Sequence, residues 1–235
     1  MERDRLINAR RMVVKFGTGI LTNRSKQIDP GQIEQLVAQV AAQRQAGREV
    51  VVVTSGAVGG GMGALGMTQR PAELSDLQAC AAVSQLKLMA AYSELFAKHD
   101  LQVAQVLLTH DDLEHRERHL NARNTLVSLL DKGVVPIVNE NDAVSYTELK
   151  FGDNDWLAAL VACLLPADLL ILLTTVDGLV ENFGKKNPRT IPVVETIDAS
   201  IQKLAGGTLS ASAVGGMDAK DRKSTRLNSS HVVTS

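Results

Sequence analysis

Aromatic residues make up only 3% of the chain, so the sequence offers few platforms on which nucleic-acid bases could stack. Charge of either sign is nearly cancelled: 25 Lys and Arg face 26 Asp and Glu, a formal net charge of −1. Such a balance creates no general attraction to nucleic acid or to an anionic membrane. Cysteine is limited to Cys80 and Cys163, far apart and each in an apolar helical context. We expect free core thiols there, not a disulfide framework or a metal site. No signal-peptide core follows Met1-Glu2-Arg3-Asp4-Arg5. The most apolar stretch, Trp156 to Val176, is broken by Pro166-Ala167-Asp168 and reads as a buried helix followed by a buried strand, not as a membrane span. From these absences we expect a cytoplasmic protein that binds neither nucleic acid nor membrane. The pattern GxxxxGK[ST] is also missing, because Gly184-Lys185-Lys186 lacks the first glycine and the hydroxyl, and this excludes P-loop mechanics.

What is present is enough to build a sizeable core, since 235 residues with 45% hydrophobic content can bury one large domain or two small ones. From Met12 the chain alternates strand and helix. Met12 to Lys15 is predicted as a short strand. Pro30 to Ala46 places Ile33, Leu36, Val37, Val40 and Ala41 on one helix face and stops at Gly47. Val50 to Thr54 is a β-branched run without alternation, as expected of a parallel strand covered on both faces. A long helix is predicted within Pro71 to Lys98, then strand Val103 to Thr109, helix Asn121 to Leu130, strand Val134 to Val138, helix Asp155 to Leu165 and strand Leu169 to Thr174. Tyr146 to Phe151 is read as a small hairpin. The repeated β-α order points to a doubly wound α/β sandwich.

The chemistry concentrates in VNENDAVSYTELKFGDND, from Val138 to Asp155. Asp153 or Asn154 suffices to cap the following helix, which leaves Asn139, Glu140, Asn141, Asp142 and Asp155 in excess of what capping requires. Groups of this kind at the ends of core elements bind an ammonium, orient a lysine or hold a metal. Glycines gather where an α/β fold places its ligand, at the carboxyl ends of strands. Lys15-Phe16-Gly17-Thr18-Gly19 follows the first strand, Ser55-Gly56-Ala57-Val58-Gly59-Gly60-Gly61 the second, and Gly215-Gly216-Met217-Asp218-Ala219-Lys220 stands far along the chain. Three such turns with two lysines favour a phosphate cradle over solvated turns. Gly61 to Gly66 matches GxGxxG, but Ser55 to Gly60 separate it from its strand, so a dinucleotide site is disfavoured. His115 and His119 lie one helical turn apart among charges and read as a solvated face, not a metal pair.

The strings VVKFGTGIL, VVVTSGAV, QVLLTHDDLEHRERHLNARNTL, VVPIVNENDAV, FGDNDWLAALVA and GGMDAK, in that order, resemble the amino acid kinase family over roughly Arg11 to Lys220. The resemblance implies a three-layer αβα sandwich with a mainly parallel central sheet. It further implies transfer of the ATP γ-phosphoryl group to the side-chain carboxylate of L-glutamate, giving glutamyl 5-phosphate, the first step of proline biosynthesis. By that resemblance Lys15 and Lys220 flank the moving phosphoryl group and Asp155 organises both. Ser55, Asp142, Asp153 and Asn154 fall at substrate positions, with Asp142 suited to the α-ammonium. Lys15, Gly17, Thr174, Thr175, Gly215, Gly216, Met217 and Lys220 fall at ATP positions. Mg²⁺ is expected on the ATP oxygens, with no dedicated protein metal site. Proline as a feedback inhibitor and a homo-oligomer are implied as well. The sequence departs from the family at Thr175, at Ser212-Ala213-Val214 and over Glu181 to Asn187. After Lys220 it turns to Ser, Arg, Asn and Thr without apolar period. We therefore expect a kinase domain over residues 1–220, truncated at its C-terminus, and a disordered or foreign tail over 221–235. The alternatives are a non-catalytic amino-acid-binding member of the same family and, more distantly, an NAD(P)-binding oxidoreductase.

Overall fold

A computed structural model of the chain describes residues 3–23, 28–55, 57–145, 154–176, 178–183, 186–204 and 231–234. Among the described residues six strands form one sheet: β1 (Arg11–Phe16), β2 (Glu49–Val53), β3 (Val103–Leu108), β4 (Val135–Glu140), β5 (Leu169–Leu173) and, at its edge, His231–Thr234. Their order is β3-β4-β2-β1-β5 followed by the His231–Thr234 strand, and every pairing is parallel. The helices are α1 (Thr18–Leu21), α2 (Pro30–Gln45), α3 (Ala57–Ala64), α4 (Leu74–Ala97), α5 (His110–Glu114), α6 (Arg116–Asp131), α7 (Asn154–Leu164) and α8 (Ala199–Leu204). A small antiparallel pair, β6 (Leu179–Glu181) and β7 (Arg189–Ile191), follows β5. In the same numbering the edge strand is β8.

The period of two along each strand divides the core into two layers. Val13 of β1, Val51 and Val53 of β2, and Leu170 and Leu172 of β5 pack with Leu126, Leu130, Leu157 and Val161 of α6 and α7. Their neighbours Met12, Val14, Phe16, Val50, Val52 and Leu169 pack on the other face with Ile33, Val37 and Val40 of α2 and Leu88, Tyr92 and Phe96 of α4. Strands covered twice carry no polar alternation, which is why Val50 to Val53 is a continuous valine run. The same alternation has a consequence for the site. Lys15 shares the parity of Val13 and so belongs to the α7 face.

Helix boundaries follow local chemistry. Asp29 caps α2, its carboxylate accepting from the N–H groups of Gly31 and Gln32, with Pro30 in the first turn. Thr109 and Asp112 form a capping box on α5. Helix α6 begins at Arg116, five residues before the apolar period starts at Asn121, because its first turn is an exposed charged face that periodicity does not register.

Several expectations change. The glycine run after β2 is helical from Ala57 as α3 and does not form an open turn there. A Cβ on Gly61 would come within 1.8 Å of the Cys80 carbonyl oxygen, so this glycine permits close helix packing. Cys80 is buried, but Cys163 is exposed and is not a core thiol. Of the tail expected over 221–235, His231–Thr234 differs: these residues pair with β5, from Leu169↔His231 to Leu172↔Thr234. The run Val232-Val233-Thr234 is β-branched, and an open parallel edge such as that of β5 accepts such a run. The hairpin expected at Tyr146 to Phe151 lies outside the described residues.

Candidate active site

The carboxyl ends of β1, β2, β4 and β5 converge with the first turn of α7, and there the polar groups of the core collect. Lys15, one residue before the end of β1, reaches α7 and places Nζ 2.7 Å from Oδ1 of Asp155. Both side chains are nearly closed to water, at 9% and 3% exposure. A buried charge persists only when it is paired, so each residue fixes the other. Glycine at 17 is required by this contact. A Cβ there would stand 2.9 Å from the Leu173 carbonyl oxygen and 3.3 Å from Lys15 Nζ. The Gly17 N–H donates to Leu173 O at 3.1 Å, extending the β1–β5 ladder, so this amide is committed to the sheet and is not a free phosphate donor. Across the same gap Thr175 faces Gly19, where a Cβ would lie 2.6 Å from the threonine methyl. Thr174 and Thr175 thus stand beside the Gly17-Thr18-Gly19 turn, half-buried and exposed respectively.

A second set of groups lies at the ends of β2 and β4. The Asn154 amide Nδ2 donates to the main-chain oxygen of Thr54 and, at 2.7 Å, to Oδ1 of Asn139. Asn139 Nδ2 donates in turn to Oε1 of Gln85 at 2.8 Å. Ser55 Oγ donates to the Phe16 carbonyl at 2.7 Å. Thr54 Oγ1 shares a hydrogen bond of 2.8 Å with the buried Tyr92 hydroxyl, and the surrounding apolar layer pushes that phenol well above its ordinary pKa. These bonds decide what the site presents. Asn154 has spent both amide protons and Ser55 its only one, so each is left with oxygen lone pairs.

At the end of β4 and just past it, Glu140 and Asp142 form an acidic pair. Burial pushes Asp142 up to about 6 against the pull of the Arg70 guanidinium. Glu140 is pushed up to about 7, chiefly by burial and then by the Asp142 charge, with the Ser145 hydroxyl opposing. Ser145 is itself held by Gln78, which donates to its carbonyl at 3.0 Å.

Of the residues expected at the site, the fold thus gathers Lys15, Asp155, Asn154, Ser55, Gly17, Thr174 and Thr175 at one end of the sheet, with Asp142 just beyond β4. Asp153, Gly215, Gly216, Met217 and Lys220 lie outside the described residues. Asn139 was recognisable only as a surplus amide, while Gln85 and Tyr92 were missed. Their signal was present in α4, where Ser84 and Gln85 interrupt the apolar stripe Leu77, Ala81, Leu88, Tyr92, and polar residues on a core stripe require partners. His115 is exposed, and His119 places Nδ1 3.1 Å from the Leu113 carbonyl, a helix-face role. At the opposite end of the sheet, Arg10, Arg11, Arg48 and Asp168 line an open cavity. There the Arg11 side chain bonds Glu49 and Leu165 O, and Asp168 accepts from the Arg10 and Arg11 amides. Those groups satisfy one another, in contrast with the acceptors left open beside Lys15.

Comparison with known proteins gives the family. The model of the amino acid kinase family matches residues 10–234. The chain is 48% identical over 226 residues to the glutamate 5-kinase of Azoarcus sp. (strain BH72), covering 95% of this chain and 61% of that protein. It is 48% identical over 222 residues to the glutamate 5-kinase of Stutzerimonas stutzeri (strain A1501), covering 94% of this chain and 60% of that protein. The chain therefore spans 61% and 60% of the lengths of these relatives. Among solved structures, carbamate kinase from Giardia lamblia bound to AMP-PNP superposes with a TM-score of 0.61 over 97% of this chain and 93% of that one. At 12% identity the likeness is one of fold. Among the described residues, no helix is long and apolar enough to cross a membrane.

Proposed function

Because the chain belongs to the amino acid kinase family, we propose that it takes part in ATP-dependent phosphorylation of the side-chain carboxylate of L-glutamate, the first step of proline biosynthesis. One observation carries this reading: a buried lysine–aspartate pair stands beside a group of side chains that offer only acceptors. The acceptors Asn154 Oδ1, Ser55 Oγ and the Asp142 carboxylate suit a donor-only group, the α-ammonium of an amino acid. Lys15 suits the anionic end of the reaction, where phosphoryl oxygens gather charge.

In the proposed step a carboxylate oxygen of glutamate attacks the γ-phosphorus of ATP in line. The bond to the β–γ bridging oxygen breaks and ADP leaves with that electron pair. The attacking carboxylate is already ionised at neutral pH, so no base is required. The protein's contribution is positioning and charge neutralisation. Lys15 meets the transferring oxygens, Asp155 aims the lysine, and Lys220 is assigned to the nucleotide side with Gly215, Gly216 and Met217 by resemblance. Thr174 and Thr175 are assigned to the nucleotide. Among the described residues no group of three or more carboxylate, histidine or cysteine side chains is placed to hold a metal ion, so Mg²⁺ would enter mostly on the phosphate oxygens, where it would neutralise charge. Proline as an inhibitor and assembly into a homo-oligomer belong to the same proposal.

The test is ADP release in the presence of Mg²⁺, with hydroxylamine added to trap an acyl phosphate as its hydroxamate. The expected result is ADP and hydroxamate formation that both require L-glutamate. Thermal melting separates the other readings, since a midpoint raised by glutamate or proline but not by ATP indicates a non-catalytic binder, and one raised only by NAD(P) indicates an oxidoreductase. Either outcome, or ADP release indifferent to glutamate, refutes the kinase reading.

A further inference from the structure

The hydrogen-bond relay from Thr54 to Gln85 has a direction, and one atom fixes it. The main-chain oxygen of Thr54 can only accept, so Asn154 must turn Nδ2 toward it. The second proton of that amide reaches Asn139 Oδ1, which forces Asn139 Nδ2 toward Gln85, and Gln85 must answer with Oε1. The Gln85 amide nitrogen is then buried and, among the described residues, has no hydrogen-bond partner. Gln85 itself is 9% exposed, on the core side of α4. Buried donors are rarely left unpaired. A glutamine serving only to fill space would turn over to seek a better partner, and this one cannot without breaking the chain of amides in front of it.

We propose that Gln85 is a positioning residue for the amino-acid subsite: by holding Asn139 it secures the second Asn154 proton in the orientation that the Thr54 oxygen sets, so that Oδ1 is left fixed toward the ligand. The selectivity that results is for a group that donates and does not accept. An ammonium meets this demand and a neutral hydroxyl or carboxylate meets it less well. Without the Gln85 acceptor, Asn139 is free to rotate away, and Asn154, then held by the Thr54 oxygen alone, aims Oδ1 at the ligand less firmly. This inference rests on the proposed placement of Asn154 at the amino-acid site.

Two substitutions in the full chain separate positioning from packing. Gln85→Met keeps length and loses the acceptor, whereas Gln85→Glu, protonated where a buried charge would go unpaired, keeps an acceptor oxygen toward Asn139. Two readouts are needed: the KM values for L-glutamate and for ATP, and hydrogen exchange of the Asn154 side-chain amide by NMR. The expected result for Gln85→Met is faster Asn154 exchange and a rise of about ten-fold in the KM for glutamate, with the KM for ATP and kcat within about two-fold. Gln85→Glu should keep exchange slow and stay near wild type in both constants. Unchanged exchange in a folded Gln85→Met, an equal rise in both KM values, or Gln85→Glu as damaging as Gln85→Met would overturn the proposal. If Gln85→Met does not fold, slow exchange in Gln85→Glu upholds the relay and fast exchange overturns it. If the wild type shows no response to glutamate, the kinase reading fails, and the exchange data alone decide the relay in the same sense.

Discussion

Lys15 Nζ and Asp155 Oδ1 lie 2.7 Å apart, the first carried by β1 and the second by the first turn of α7, with almost no water at either side chain. Breaking such a pair from one side leaves a buried charge uncompensated, which costs about 3–5 kcal/mol, whereas replacing both partners by apolar groups is often near neutral. Lys15→Met and Asp155→Asn should therefore each lower stability, and Lys15→Met with Asp155→Leu should recover most of it. Turnover should not return in the double variant. Denaturant melts and kcat measured on the same preparations check this, and Lys15→Ala retaining more than about a tenth of wild-type kcat would remove the lysine from the reaction.

Two glycines should fail in different ways. An alanine at Gly17 meets the Leu173 carbonyl and the Lys15 ammonium, so Gly17→Ala should reduce kcat by about ten-fold or more with a smaller effect on the KM for glutamate. An alanine at Gly61 meets only the backbone of α4, so Gly61→Ala should destabilise by about 1–3 kcal/mol through overpacking. Steady-state kinetics beside thermal melts separate the two; equal loss of kcat in both variants at permissive temperature would refute the distinction.

Asp142→Asn should raise the KM for glutamate by an amount worth about 2–3 kcal/mol, the loss of a charge-assisted bond to an ammonium, while changing kcat less. A normal KM in a folded variant would mean that the carboxylate serves structure alone.

The pH dependence should run in opposite senses for stability and for binding. Asp142 rises from 3.8 to about 6 and Glu140 from 4.5 to about 7, both chiefly through burial. Between the lower and upper values the folded chain holds protons that the unfolded chain has released, so stability falls as pH rises through this window. Glu140→Gln and Asp142→Asn should each flatten that fall and gain about 1 kcal/mol near neutral pH. Glutamate binding instead needs Asp142 ionised, so the KM should improve as pH rises through about 6. Melting curves and KM from pH 5 to 8 check both, and a stability profile identical in wild type and Glu140→Gln would contradict the assignment.

The sequence by itself determined the layers. Valine and leucine runs without alternation specify strands covered on both faces, and helical periodicity between them specifies the covers, so β1 to β5 and α2, α4, α6 and α7 were legible within a few residues. It also singled out Lys15, Asn154 and Asp155, which stand at element ends where surplus polar groups need a purpose. Only the tertiary structure decided the pairings. Which acid meets Lys15 depends on the parity of β1 and the entry of α7, and no local pattern relates the two. Whether Gly61 lies in an open turn or packs against a helix depends on how closely α4 passes, and here the Cys80 backbone passes within contact. The roles of Gln85 and Tyr92 were hidden for the same reason. A polar side chain on a core helix declares that it needs a partner, but the partners, Asn139 and Thr54, come from other strands, and only folding brings them within a hydrogen bond.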